Sequence, residues 1–442
     1  MNGKLKKTVA VAVAATCALS ACACSNDNVI GKSSVLGTAA TAQPLSHAQN
    51  INPAFCSFKS GVEDFSARFA AATYSGKNYA VSPVSVYMAL ALAAACADGQ
   101  TKTEILDALG TDGNSLAADV SLLYRSLNEE YTVHDGYGGR KQTGMIKLGN
   151  SVWVNSGTSV KQSCIDELAE QFFCYSYSAD FSGDNKAANQ AVRDFVSKQT
   201  KGLIDKDFEL DTSTLFALIN TLYLKDVWRS LGEDLPMTNP MTFSGKNKDK
   251  TVKLLSGYYN NGRALVTEEY SAFYTATAHG NKIKFIVPND GYTIDQVFTA
   301  ENIFTVNTYA FGDNAVDHDN KLRYHTHCLF PEYKAKFDDD VAPVLKKDFG
   351  IKQLFDANAC NLSSLTDNRA FCSKVRHVTD LTVNKKGIEG AAVTVEQMAG
   401  SGMPGVDEYE DVYLTFTVDR SFGFIITNSY DTTLFSGVVT DL

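Results

Sequence analysis

The stretch VSVYMALALAAACA, residues 84–97, leaves the chain few options. A helix built from it is apolar on nearly every side, so it must be buried all round, and only a large core can enclose it. Ser82-Pro83 suits the start of that helix, because Ser caps orphan N–H groups and Pro fits the first turn. Asn78-Tyr79-Ala80-Val81 just before it reads as a short strand. Gly99 reads as the helix stop, and Thr101-Lys102-Thr103-Glu104 matches a capping box opening the next helix.

A second long apolar run, TLFALINTLYLKDVW (214–228), is strand-like and too apolar for an edge, which places it in the middle of a sheet. KLGNSVWVNSG (147–157) is a further strand. GDNKAANQAVRDFVSKQTKG (183–202) is helical, with Val192, Phe195 and Val196 on one face. YKAKFDDDVAPVLKKDFGIKQLF reads as a strand followed by a helix, and the tail from Asp411 to Leu442 as three strands. Helices and strands alternate without regular βαβ units, an α+β pattern. With 442 residues, 44% hydrophobic and 20% charged, and no linker after Phe55, residues 55–442 read as one domain. The net charge of −10 speaks against nucleic acid as the partner, since phosphates call for a basic face.

The first residues differ from the rest. MNGKLKK is basic and TVAVAVAATCALS is a short apolar core, too short to span a bilayer, so residues 1–21 read as a signal peptide. Leu19-Ser20-Ala21-Cys22 resembles a bacterial lipobox, which implies acylation of Cys22 as the first mature residue. Cys24 is a weaker alternative, having no leucine at the matching place. Residues 22–54 are polar, small and aperiodic and read as a lipidated flexible linker. The implied location is the bacterial cell envelope, lipid-anchored, periplasmic or at the cell surface. Eight further cysteines (24, 56, 96, 164, 174, 328, 360 and 372) show no metal-ligand spacing, and both free thiols and disulfides remain open.

Catalytic chemistry is hard to find. His325-Thr326-His327-Cys328, with His318 nearby, lacks a carboxylate at a persuasive spacing and reads as a solvated strand end rather than a metal site. Glu129-Glu130 and Asp338 to Asp340 read as solvated faces. No nucleophile elbow, zinc-protease motif or P-loop occurs. No cofactor or metal is expected, and the chain does not read as an enzyme.

One segment looks like two things at once. In GIEGAAVTVEQMAGSGMPG (387–405), the first part has the small and β-branched residues of a strand. The second part is Gly, Ser and Pro, the material of a loop.

Four stretches in order resemble the serpin family of protease inhibitors. They are NYAVSPVSVYMALALAAACADGQTKTEI, FALINTLYLKDVW, HVTDLTVNKKGIEGAAVTV and FTVDRSFGFIITNSYDTTLFSGVV, and the match runs from about 57 to 442. The resemblance implies a single serpin domain with about three β-sheets, eight to nine helices and an exposed reactive-centre loop at about 387–411. It implies a monomeric suicide substrate: a serine protease cuts the loop, forms an acyl-enzyme, and is trapped as the loop inserts into the central sheet. It assigns the hinge to Gly387, Ile388, Glu389, Gly390, Ala391, Ala392, Val393 and Thr394. It assigns a polar shutter to Ser82, Ser85, Asn220 and His377, and to Trp228 the place beneath the point of insertion. None of these is a catalytic group. Three residues depart from the family pattern. Ile388 stands where Thr or Ser is common. Lys385-Lys386 replaces acidic residues, so a partner carboxylate elsewhere is expected to have changed. Glu396 shares a face with Thr394, and burying it unpaired is costly. Glu396, Ile388 and the long Gly-rich downstream half of the loop together motivate the alternative, a non-inhibitory serpin serving as a surface binding or structural module.

In the family the inserted length is nearly fixed, and fourteen residues beyond Gly387 is Ser401, which makes Ser401–Gly402 the expected scissile bond. Counting back from Phe416 falls between Met403 and Asp407. Met398, Met403 and Val406 are the alternatives, with Met403 disfavoured by the proline after it. No Arg or Lys lies between Gly387 and Asp411, which points away from trypsin-like proteases and towards elastase-like or subtilisin-like ones.

Overall fold

The strand expected at the heart of a sheet is there. Phe216–Val227 is twelve residues long and buried along most of both faces. The structure, a computed structural model, describes residues 30–134, 139–229, 233–312, 315–372, 374–388 and 409–442. The eight-stranded sheet around that central strand runs β1 (Ser34–Gly37), β5 (Cys174–Ala179), β4 (Arg140–Asn155), β6 (Phe216–Val227), β17 (Gly387–Ile388), β16 (Arg376–Asn384) and β15 (Tyr333–Asp340), with β3 (Asn128–His134) paired to β4. A six-stranded sheet runs β10 (Leu265–Val266), β11 (Tyr270–Ala276), β12 (Lys282–Pro288), β19 (Phe422–Thr427), β20 (Thr433–Val439) and β2 (Tyr79–Val81). A four-stranded sheet joins β13 (Val316–Asp317), β14 (Leu322–Pro331), β18 (Glu410–Thr417) and β9 (Leu254–Asn261), and β7 (Met241–Ser244) pairs with β8 (Asp249–Val252).

The helices are α1 (His47–Asn50), α2 (Pro53–Thr73), α3 (Pro83–Cys96), α4 (Gly99–Leu109), α5 (Leu116–Ser126), α6 (Gln162–Gln171), α7 (Asn185–Gln199), α8 (Ile294–Val297), α9 (Ala300–Thr308) and α10 (Ala342–Asp348). The α+β architecture agrees with the sequence. The described residues hold ten helices rather than eight to nine, because the one-turn helices α1 and α8 are too short to show a period. Every residue of α3 except Ala89 is buried, packed between α2, β6 and β20. The next helix begins three residues earlier than its capping box suggests. Asp98, not Thr101, is the N-cap, and the Glu104 carboxylate instead accepts from the backbone N–H groups of Lys352 and Gln353, each at 2.8 Å.

The segment expected as a flexible linker is folded from Ile30 onward, and this corrects the 22–54 boundary. Ser34–Gly37 pairs antiparallel with β5 and extends the large sheet by a strand. Ile30 is buried, Ala40 N–H donates to Ala169 O at 2.9 Å, and Arg125 holds the carbonyls of Gln43 and Pro44 at 2.5 and 2.8 Å. An exposed sheet edge is a template for any strand able to reach it. Gly37 allows the close approach, since a Cβ there would lie 2.7 Å from Ile165 Cγ2. The seven described cysteines, 56, 96, 164, 174, 328, 360 and 372, are free thiols.

Candidate functional site: the hinge and the gap below it

Gly387 and Ile388 form a two-residue strand between β6 and β16, antiparallel to both. Gly387 lies opposite Val227 and Asn384, and Ile388 opposite Asp226 and Val383. Among the described residues, β6 and β16 are joined in the hydrogen-bonded sheet only through this short strand. Ile388 is fully buried, as an uncharged residue there can be. A Cβ on Gly387 would fall 2.0 Å from Asp226 O, so this position accepts only glycine at the observed strand spacing.

The neighbouring groups hold the hinge from three sides. Trp228 Nε1 donates to Asn384 O at 2.6 Å, and its backbone N–H donates to Lys386 O at 3.3 Å. Its ring meets Phe330 edge-on at 5.3 Å. Lys385, where the family carries an acid, is paired: its Nζ is 2.7 Å from Asp234 Oδ2, and its N–H donates to Glu332 Oε1 at 2.7 Å. Asp234 is thus the carboxylate that Lys385 meets in this fold.

Behind the hinge lies a polar cluster that sequence reasoning missed. Asp226, 1% exposed, accepts from Nδ1 of His279 at 2.5 Å, from Asn281 Nδ2 at 2.6 Å and from the Thr277 hydroxyl. Tyr131 stacks on His279 with ring centroids 4.5 Å apart, and Thr143 Oγ1 is 3.1 Å from His279 Nε2. Glu129, expected on a solvated face, is half-buried here, and burial raises its pKa. The only sequence signal was an Asp inside a largely apolar central strand. Its partners lie some fifty residues downstream, where nothing marks them.

Ser82, Ser85, Asn220 and His377 come together at one narrow cavity of about 20 Å³ between β6 and β16, room for about one water. Ser82 makes no side-chain cap bond. Its Oγ is 2.9 Å from Ser85 Oγ, and its N–H donates to His377 Nε2 at 2.9 Å. Asn220 Nδ2 donates to Asn150 Oδ1, while its own Oδ1 is buried without a partner among the described residues. His377 accepts a backbone N–H and so must be neutral. Burial pushes its pKa down to about 4.

That shift has a sign. Above the unfolded value near 6.5 the His377 contribution is fully present, and it is lost as pH falls towards 4, by about 3 kcal/mol over the window. Glu63 on α2 acts oppositely, because burial pushes its carboxyl up to about 6, favouring the folded state as pH falls. The wild type should therefore show a muted pH dependence. Denaturant unfolding of wild type and His377→Gln should diverge below pH 6.5, the variant losing less stability between pH 6.5 and 4. Parallel curves would count against a neutral, buried His377.

Glu389 to Thr394, Glu396, Met398, Ser401, Gly402, Met403 and Val406 lie outside the described residues, as do Cys22 and Cys24. His325 and His327 sit within β14, not at a solvated strand end. His325 Nε2 is 2.8 Å from Asp411 Oδ1, and His327 Nε2 is 3.0 Å from Ser256 Oγ.

Residues 61–442 match the family model described as serpin, serine protease inhibitor. Similar proteins include human neuroserpin, 26% identical over 381 residues, 83% of this chain and 87% of that protein. Mouse alpha-1-antitrypsin 1-2 is 25% identical over 347 residues, 76% of this chain and 78% of that protein. Among solved structures, the thermophilic serpin tengpin in its native state superposes with a TM-score of 0.68 at 21% identity, covering 91% of this chain and 98% of that one. Thyroxine-binding globulin in complex with thyroxine superposes at 0.67 and 20%, covering 87% and 99%. These superpositions show a shared fold.

Proposed function

The chain belongs to the serpin family, whose members are mostly protease inhibitors rather than catalysts, and from that premise we propose that it is a suicide inhibitor of serine proteases. The protease serine attacks the Ser401 carbonyl, the Ser401–Gly402 bond breaks with Gly402 leaving as the amine, and an ester joins the two proteins. The segment after Ile388 then extends between β6 and β16 as a full strand, carrying the acyl-enzyme with it. Loop insertion of this kind is the known strain-releasing transition of serpins, and the step applies that family mechanism to these residues.

The observation that carries this reading is β17 itself, two residues already seated between β6 and β16 in the pairing a longer strand would continue. Carried on in register, Gly390 comes beside Leu224 and Leu381, Ala392 beside Leu222 and Thr379, and Thr394 beside Asn220 and His377. Thr394 would then bring a hydroxyl to the level of the unpartnered Asn220 Oδ1. The residues expected to slide past α3 are small, so the new strand meets little bulk. The target is elastase-like or subtilisin-like, because the loop offers no basic residue. Tethering by lipid at Cys22 would place the inhibitor at the bacterial envelope.

Mixed with elastase-like and subtilisin-like proteases, the purified protein should give a covalent complex that survives boiling in detergent, and mass spectrometry of the released peptide should place the cut after Ser401. Clean cleavage without a stable complex across such enzymes would favour the second reading, a non-inhibitory binding or structural module. One residue speaks for that reading. In the same register Glu396 comes beside Leu218, on the core-facing side.

A further inference from the structure

Two helix ends far apart in the chain are tied together by one loop. Asp98, just past the end of α3, donates its N–H to Asn361 O at 3.1 Å, and Ser364 Oγ donates to Ala97 O at 3.4 Å. Lys161, the N-cap of α6, donates its N–H to Leu365 O and its Nζ to Ser363 O, each at 2.7 Å, and pairs with Asp367 at 2.8 Å. Residues 361–367 thus clamp the last turn of α3 to the first turn of α6. Inside the clamp stand Cys96, the last residue of α3, and Cys164, the third residue of α6. Their thiols are hydrogen-bonded to each other, and both are free in this structure. Cys174, the first residue of β5, is a third thiol near them, but its Sγ donates to Tyr175 O at 3.4 Å.

We propose that Cys96 and Cys164 are a redox pair that closes a reversible disulfide between α3 and α6 by exchange with a small disulfide. The two thiols have different roles. Cys164 is the attacking group. The hydrogen bond with Cys96 lowers its pKa, it lies in the first turn of a helix, where an anion is favoured, and it keeps 4% exposure against 0% for Cys96 and Cys174. Cys96 is the resolving group, since the bond to Cys164 and then burial hold its proton in place. The Cys164 thiolate attacks one sulfur of the small disulfide, whose S–S bond breaks, and the first small thiol leaves. Cys96 then gives up its proton and attacks Cys164 Sγ, and the second small thiol leaves. Two protein thiols are oxidised, and one small disulfide is reduced to two thiols. Because Cys164 is nearly buried, the exchange proceeds through local opening of the clamped helix ends.

The test uses oxidised glutathione as the small disulfide. After the folded full chain is equilibrated with it, acid-quenched and digested, mass spectrometry should find the Cys96 and Cys164 peptides joined and two hydrogens lighter than the reduced pair. Cys96→Ala should stop at a glutathione adduct on Cys164, and Cys174→Ala should close as the wild type does. The bridge encloses about 70 residues, so the oxidised wild type should unfold about 5 °C above the reduced form, a difference that Cys164→Ser should abolish. The proposal is overturned if Cys96 and Cys164 stay reduced in the wild type, or if either is bridged to Cys174 instead. It is equally overturned if glutathione remains on wild-type Cys164 without release, or if the bridge forms only once denaturant has unfolded the chain.

Discussion

Cutting the loop raises the midpoint of thermal unfolding by about 12 °C. The expectation follows from β17. Two residues already pair between β6 and β16, and a strand continued from Ile388 adds on the order of ten backbone hydrogen bonds, each worth about 0.5–1.5 kcal/mol net, or about 10 kcal/mol together. A body of this size has an unfolding entropy of about 0.8 kcal/mol per degree, and dividing one by the other gives the shift. Scanning calorimetry before and after nicking by any protease that cuts between Ala399 and Val406 measures it. The same scan weighs Glu396. A carboxylate buried beside Leu218 without a partner costs several kcal/mol, so a rise of only a few degrees means that the strand halts near Val395. No rise at all would remove the inhibitor reading and leave the binding-module reading in place.

Replacing Gly387 by valine should be among the most damaging single changes in the chain. Valine suits a strand, so local propensity argues for it, and only the neighbouring backbone argues against it. The added Cβ would collide with Asp226 O at 2.0 Å and crowd Val227 Cα at 3.0 Å. Either β17 leaves the sheet or β6 shifts, and β6 rests on α3 and on the Asp226 cluster. A cost of about 3 kcal/mol, or about 4 °C, is expected, with protease encounters ending in a cut protein rather than a complex. Unfolding midpoints and the yield of detergent-stable complex read the two effects. An unchanged midpoint with full complex yield would show that the hinge has slack the geometry does not reveal.

Much of this was legible in the sequence because it depends on local pattern. The all-apolar α3, the central β6, the α7 face and the three closing strands each announce themselves within a dozen residues. The shutter residues and Trp228 came from resemblance to a family, not from pattern, and the structure then brought Ser82, Ser85, Asn220 and His377 to one cavity. Long-range partnerships were not legible. Asp226 meets Thr277, His279 and Asn281 only because β6 passes the turn between β11 and β12. Asp234 takes Lys385 across 151 positions of chain. Glu129 reads as a surface carboxylate because the charged groups that act on it, His279 and Asp226, are far away in sequence. The ring contacts of Tyr413 with His325 and Tyr259 are equally silent, since these are isolated residues until β9, β14 and β18 set them in register.

The N-terminal strand has a consequence for geometry at a surface. With Cys22 acylated as proposed, the tether ends not at residue 54 but at Ile30, where the folded body begins. Seven residues then lie between Cys22 and Ile30, and the eight steps of chain reach no more than about 28 Å even when pulled straight. The molecule would ride on a short leash rather than a long one, its β1 edge kept near the bilayer, and its working range would be a thin shell just outside the membrane.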